Sequence, residues 1–188
     1  GCEVAGPGND GKRVVVLAMG NELFKATGTY DGTTGRMLAV GREWMLAQGY
    51  FKLHPTGRYV HSVIDALEDL LSRSRALDLA AIDRVEVKAY RLAAMLAEKR
   101  VTSSFGARFS VPFALASILV HGRSGLTSFD EDAVANPWVQ ALAQRVDLTE
   151  EPAHTARYPA EQPVDLRITM RDGTVPHGCC IVTTGEPG

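Results

Sequence analysis

The chain has 188 residues, 45% of them apolar and 22% charged, with a formal net charge of -2. That length supports one substantial domain with a real core, and that composition excludes a fibrous or wholly disordered chain. A small negative charge gives no basic field for a phosphate backbone, so nucleic acid is not an expected partner. No run approaches the roughly 20 apolar residues of a membrane span, and no charged-then-apolar leader opens the chain. The expectation is a cytoplasmic protein without a membrane partner. Cys2, Cys179 and Cys180 are an odd, unevenly placed set, and adjacent cysteines bridge each other only with strain, so free thiols are expected.

Residues 1–11 are rich in glycine and lack periodicity, which predicts a leader without regular structure. Residues 14–19 read as a short buried strand, and the Gly-rich segment within 21–35 reads as loop. After Pro55, the apolar residues Val60, Val63, Ile64, Leu67, Leu70 and Leu71 recur at helical spacing, with Asp65, Glu68 and Asp69 opposite them. This predicts an amphipathic helix. Val85, Val87 and Ala89 alternate with charged residues and predict a half-buried strand. A second helix is expected after Ser110 as N-cap, with Pro112 in its first turn, a wholly apolar run over 111–120, and Gly122 as its stop.

Residues 130–145 predict one or two shorter helices broken at Asn136-Pro137. Val164, Leu166, Ile168 and Met170 alternate with polar residues, then the turn Asp172-Gly173 leads to a strand-like run ending at Val182, which together form a hairpin. Helices and antiparallel strands without regular βαβ alternation predict an α+β fold, a small antiparallel sheet packed with helices.

The segment FKLHPTGRYVH, residues 51–61, gathers five ionisable side chains in a loop that runs into a helix. A helix start presents unpaired N–H groups and the positive end of the helix dipole. Lys52, Arg58 and His61 add cationic donors, and Arg58 and His61, three apart, share a helical face. The arrangement suits an anion, most naturally a carboxylate. The alternative is an ordinary solvated helix start with a histidine bonded to a neighbouring loop.

This segment, extended to FKLHPTGRYVHSVIDAL, resembles the MmgE/PrpD motif F-K-x-Y-P-C-C-R-Y-T-H-x-x-I-D-A, with Lys52, Pro55, Arg58, Tyr59, His61, Ile64 and Asp65 at matching positions. ARFSVPFA, residues 107–114, is similar to the family's A-K-F-S-L-P-Y-A, and Gly185-Glu186-Pro187 to its G-D-P-E-N. Two motifs in the family's order make chance matching improbable. Thr56 and Gly57 stand where the family has a cysteine pair, His54 where an aromatic is common, and Arg108 where lysine is usual.

The resemblance implies a domain boundary near 41. Residues 41–188 would be the family's carboxy-terminal α+β domain, and residues 1–40 a leader and loop segment without counterpart. It further implies a helical domain or partner subunit that completes the active site, absent from this sequence, and a homodimer. The family includes 2-methylcitrate dehydratase and cis-aconitate decarboxylase, which work without a cofactor or a metal on small di- or tricarboxylates. Their shared difficulty is a carbanion or enediolate beside a carboxylate, which needs cationic clamps and a tuned acid and base. By this resemblance Lys52, His61 and Tyr59 are candidate catalytic groups, and Arg58, His54, Arg108 and Ser110 candidate substrate-binding groups. Ser110 has a competing role as a plain N-cap.

Four other signals are set aside. Gly6 to Lys12 has phosphate-loop spacing, but Arg13 follows where Ser or Thr is required, and the few residues before it are not expected to form the required strand. His177, Cys179 and Cys180 lack a second zinc-ligand cluster, and adjacent strand residues face opposite sides. His121 suits a helix carboxy terminus, while Trp44 and Trp138 are read as packing residues. The functional readings left open are a dehydratase-like lyase domain, a decarboxylase or epimerase of the same family, a non-catalytic carboxylate-binding module, and a remnant whose apolar helix over 111–120 is partly exposed.

Overall fold

The structure, a computed structural model, describes residues 2–5, 14–17, 30–31, 36–37, 51–73 and 77–183. The phosphate-loop-like spacing, Trp44 and the closing Gly185-Glu186-Pro187 therefore lie outside the described residues. The chain divides into two compact units, residues 1–51 with 186–188 and residues 52–185.

In the first unit, β1 (Cys2–Ala5) pairs antiparallel with β2 (Val14–Leu17), and β3 (Tyr30–Asp31) with β4 (Arg36–Met37). The strand at Val14–Leu17 falls within the run expected to be extended. The strand at Cys2–Ala5 differs from the expected leader. It has only four residues, too few for alternation to declare itself, and it puts a strand directly before Gly6, contrary to the expectation that too few residues stand there to form one.

The second unit is a two-layer α+β domain. Helix α1 (Arg58–Arg73) follows Pro55, and a 3-10 turn, Leu79–Ala81, leads into strand β5 (Ile82–Ala89). Short helices α2 (Arg91–Ala94) and α3 (Ser104–Ala107) precede α4 (Val111–His121). A second 3-10 turn, Leu126–Phe129, is followed by α5 (Glu131–Ala135) and α6 (Pro137–Ala143). The chain closes with β6 (Val146–Glu150), α7 (Pro152–Thr155), β7 (Val164–Met170) and β8 (His177–Cys180).

The sheet order is β6-β5-β7-β8. β5 pairs with β7 and β7 with β8 antiparallel, whereas β5 and β6 run parallel, so the expected antiparallel sheet is mixed. The parallel strand VDLTE was missed because only Val146 is fully buried, and a half-covered edge strand shows little apolar alternation. On one face Val85, Val87, Ala89, Val164, Leu166, Ile168 and Met170 are buried beneath the helical layer. On the other face Glu86 lies opposite Arg167, and Lys88 opposite Asp165. Opposed charges of this kind suit a solvated sheet face.

Sequence reasons for the helices are visible locally. Ser110 caps α4 by accepting from the Phe113 amide at 3.0 Å, and Gly122 ends it at φ 75°, a left-handed conformation that glycine adopts without strain. Residues 111–119 of α4 are all buried, so the exposed apolar helix of the remnant reading is not seen. Asn136 ends α5 and caps α6. Trp138 is 69% exposed, contrary to the packing role expected for it. The short helix α6 turns Val139, Leu142 and Ala143 inward, which leaves Trp138 on the outer side beside a cleft of about 390 Å³. Cys179 is exposed and Cys180 buried, both as free thiols. Burial pushes the Cys180 thiol up to about 12, so it stays protonated and inert.

Candidate active site

The loop 52–57 delivers its side chains to the amino end of α1. Gly57 anchors this loop, its amide donating to the Arg108 carbonyl at 2.8 Å. A Cβ at position 57 would lie 2.9 Å from the Phe109 ring, so the glycine that replaces the family's cysteine permits this close approach. A larger residue would require Phe109, which is 43% exposed, to swing aside.

Two histidines meet here. The rings of His54 and His61 are 5.0 Å apart at 72°, edge to face, and both are buried. His54 stands between two partners, Asp65 Oδ1 at 2.9 Å from its Nε2 and Ser124 Oγ at 3.0 Å from its Nδ1. Loss of the family's usual aromatic at this position therefore introduces a hydrogen-bonded chain that links the loop, α1 and the turn after α4.

His61 is 2% exposed. Burial, followed by the nearby His54 and Lys52 charges, lowers its pKa from 6.5 to about 4. The Asp65 charge and a hydrogen bond to the Thr56 backbone offset part of that fall. The ring is thus neutral at pH 7. Its Nε2 has no hydrogen-bond partner among the described residues, and neither have the buried Thr56 and Ser62 hydroxyls nearby. Burying an unpaired polar atom costs on the order of 1–3 kcal/mol, so these three atoms set this place apart from a fully satisfied core.

Lys52 is exposed and lines an open cleft of about 430 Å³ with Leu53, His54, Pro55, Ser124, Gly125 and Leu126. Arg58 is turned elsewhere. With the Gln162 amide oriented by its neighbours, Arg58 donates from Nη1 at 2.9 Å and Nη2 at 3.1 Å to the amide oxygen, and the amide nitrogen donates to Thr183 Oγ1 at 3.1 Å. The guanidinium therefore ties the first turn of α1 to the segment that enters β7. Tyr59 joins an aromatic cluster, edge to face with Tyr90 at 6.4 Å and with Tyr158 at 6.5 Å. Ser110 is 1% exposed and donates its hydroxyl to the Glu98 carbonyl while capping α4. Arg108 is half-buried and holds the loop through its carbonyl. Of the seven sequence candidates, Lys52, His54 and His61 stand together, while Arg58, Tyr59 and Ser110 have structural partners of their own.

Two residues at this place escaped sequence reasoning. Asp65 matched the motif but was read only as a polar helix position, and Ser124 lies 70 positions from His54, with no local signal to join them. Among the described residues, donor atoms of His54, Asp65 and Glu68 lie within 4.8 Å of one another, as a cation would require. His54 and Asp65 already face each other at 2.9 Å, so a cation would have to displace that bond. On the outer sheet face, His154 and His177 flank Asp165 at 3.2 and 3.8 Å. Cys179 and Cys180 lie on opposite sides of their strand.

A mostly antiparallel sheet backed by helices, with a loop of basic and imidazole groups running into a helix start beside an open cleft, defines a small α+β domain. The MmgE/PrpD C-terminal domain matches residues 54–186, more than half of the chain, and the protein belongs to that family. No curated protein matches the chain. Membership links it, at the level of the family, to dehydratase-like lyases whose C-terminal domain works with a helical domain. Among the described residues no helix is long and apolar enough to cross a membrane.

Proposed function

We propose that this chain is the α+β part of a lyase that removes a proton next to a carboxylate of a small di- or tricarboxylate and expels water, without a cofactor. The observation that carries the reading is His61. It is neutral, buried and flanked by Lys52, and its Nε2 lone pair has no partner among the described residues. A base must hold its lone pair ready, and a neutral ring at pH 7 does so. The Lys52 ammonium in the adjoining cleft is the clamp for the substrate carboxylate, where its charge steadies the developing enediolate. Tyr59 acts through packing, holding the first turn of α1 in place. Arg58 and Ser110 support the framework that positions His61, and Arg108 anchors the loop through Gly57. The helical domain supplies the remaining walls, and the assembled enzyme is a homodimer in the cytoplasm.

Decarboxylation and epimerisation begin from the same clamp and differ in what leaves, so substrate profiling separates them. The test uses the enzyme with its helical domain and follows hydration or decarboxylation of cis-aconitate. Lys52→Ala and His61→Gln should each lower kcat by about 10²–10⁴-fold, the range for loss of a positioned acid or base, with the circular dichroism unchanged. Turnover near wild type in both variants would overturn the reading and favour a non-catalytic carboxylate-binding module.

A further inference from the structure

The Asp65–His54–Ser124 chain has the connectivity of a nucleophile, a base and an orienting carboxylate. Asp65 and His54 are nearly buried, with side chains 10% and 7% exposed, whereas Ser124 is half-buried and lines the cleft. An ionised carboxylate only accepts hydrogen bonds. The 2.9 Å contact with Asp65 therefore places the ring hydrogen on Nε2, and the Nδ1 lone pair faces the Ser124 hydroxyl at 3.0 Å. The two ring nitrogens exchange the roles they have in serine proteases, which the chemistry tolerates because each needs only its own partner.

We propose that Ser124 is a nucleophile in a second activity, hydrolysis of esters of short carboxylic acids, independent of the lyase reading. Ser124 Oγ attacks the ester carbonyl carbon, its proton passes to His54 Nδ1, and the carbonyl π pair moves onto oxygen. As the intermediate collapses, the bond to the alcohol oxygen breaks and the proton on Nδ1 goes to that oxygen. A water molecule then repeats the sequence on acyl-Ser124, releasing the acid and restoring the hydroxyl. Asp65 holds the ring and stabilises the imidazolium. Leu53, Pro55 and Leu126 give the cleft apolar walls for a short acyl group, and Lys52 supplies positive charge for the oxyanion.

The experiment uses the 188-residue chain itself. An alkyl fluorophosphonate should form one adduct per chain, mapped by peptide mass to Ser124, and p-nitrophenyl acetate should release p-nitrophenolate above background. Ser124→Ala should lower that release about 10²-fold or more with its melting temperature retained, and His54→Gln should abolish the adduct with Ser124 still present. Absence of a Ser124 adduct on the wild-type chain, or undiminished release in Ser124→Ala, would overturn the proposal. Because adduct mapping needs no variant, a poorly folded Ser124→Ala leaves the proposal falsifiable. Failure here leaves the cis-aconitate assay untouched, so the two readings fall separately.

Discussion

His61 couples stability to pH in a direction fixed by its surroundings. Its folded pKa, about 4, lies below the ordinary 6.5. The unfolded chain therefore takes up a proton that the folded chain refuses as pH falls. The contribution is fully present above about pH 6.5 and is lost between there and about 4. At its largest it is roughly 3 kcal/mol. Urea denaturation at pH 7 and at pH 4.5 should show the wild type losing more stability than His61→Gln by a large part of that amount. Equal losses would place the ring in water rather than in the core. At this scale the sequence was partly legible: spacing brought Lys52 and His61 to a helix start, because loop and helix are contiguous. It did not reveal that Arg58 binds Gln162, or that His54 reaches Ser124. Both partners come from segments brought near only by the packed sheet and α4, and no local pattern encodes such a meeting.

Helix α1 lies directly on β8. A Cβ at Gly178 would fall 2.2 Å from the Ala66 carbonyl oxygen and 2.9 Å from Leu70 Cβ, neither being a flexible chain end. Gly178→Ala should therefore destabilise the domain by about 3 kcal/mol, at the upper end of overpacking costs, measured as a shift in urea midpoint at constant slope. A loss below about 0.5 kcal/mol would mean that α1 and β8 are further apart. Ser110→Ala removes the cap on the Phe113 amide and the donor to the Glu98 carbonyl. It should cost about 1–2 kcal/mol and leave KM unchanged. A raised KM with unchanged stability would instead restore Ser110 to the substrate. Elements with strong periodicity, α1, α4, β5 and β7, were legible in the sequence. Short elements that satisfy their backbone through neighbours, such as β6 and α2, were not, since four or five residues carry too little pattern.

At the scale of the molecule, an α+β architecture followed from the alternation of helical and strand periods, while the parallel β5–β6 pairing depends on a crossover that no single segment reveals. The domain has a core of its own between α1, α4 and the sheet, whereas its candidate base keeps a buried lone pair without a partner among the described residues. The most direct measurement is turnover of cis-aconitate by the enzyme carrying the family's helical domain, compared between wild type and His61→Gln. The account predicts a fall in kcat of about 10²-fold or more with the fold intact; wild-type turnover in the variant would contradict it.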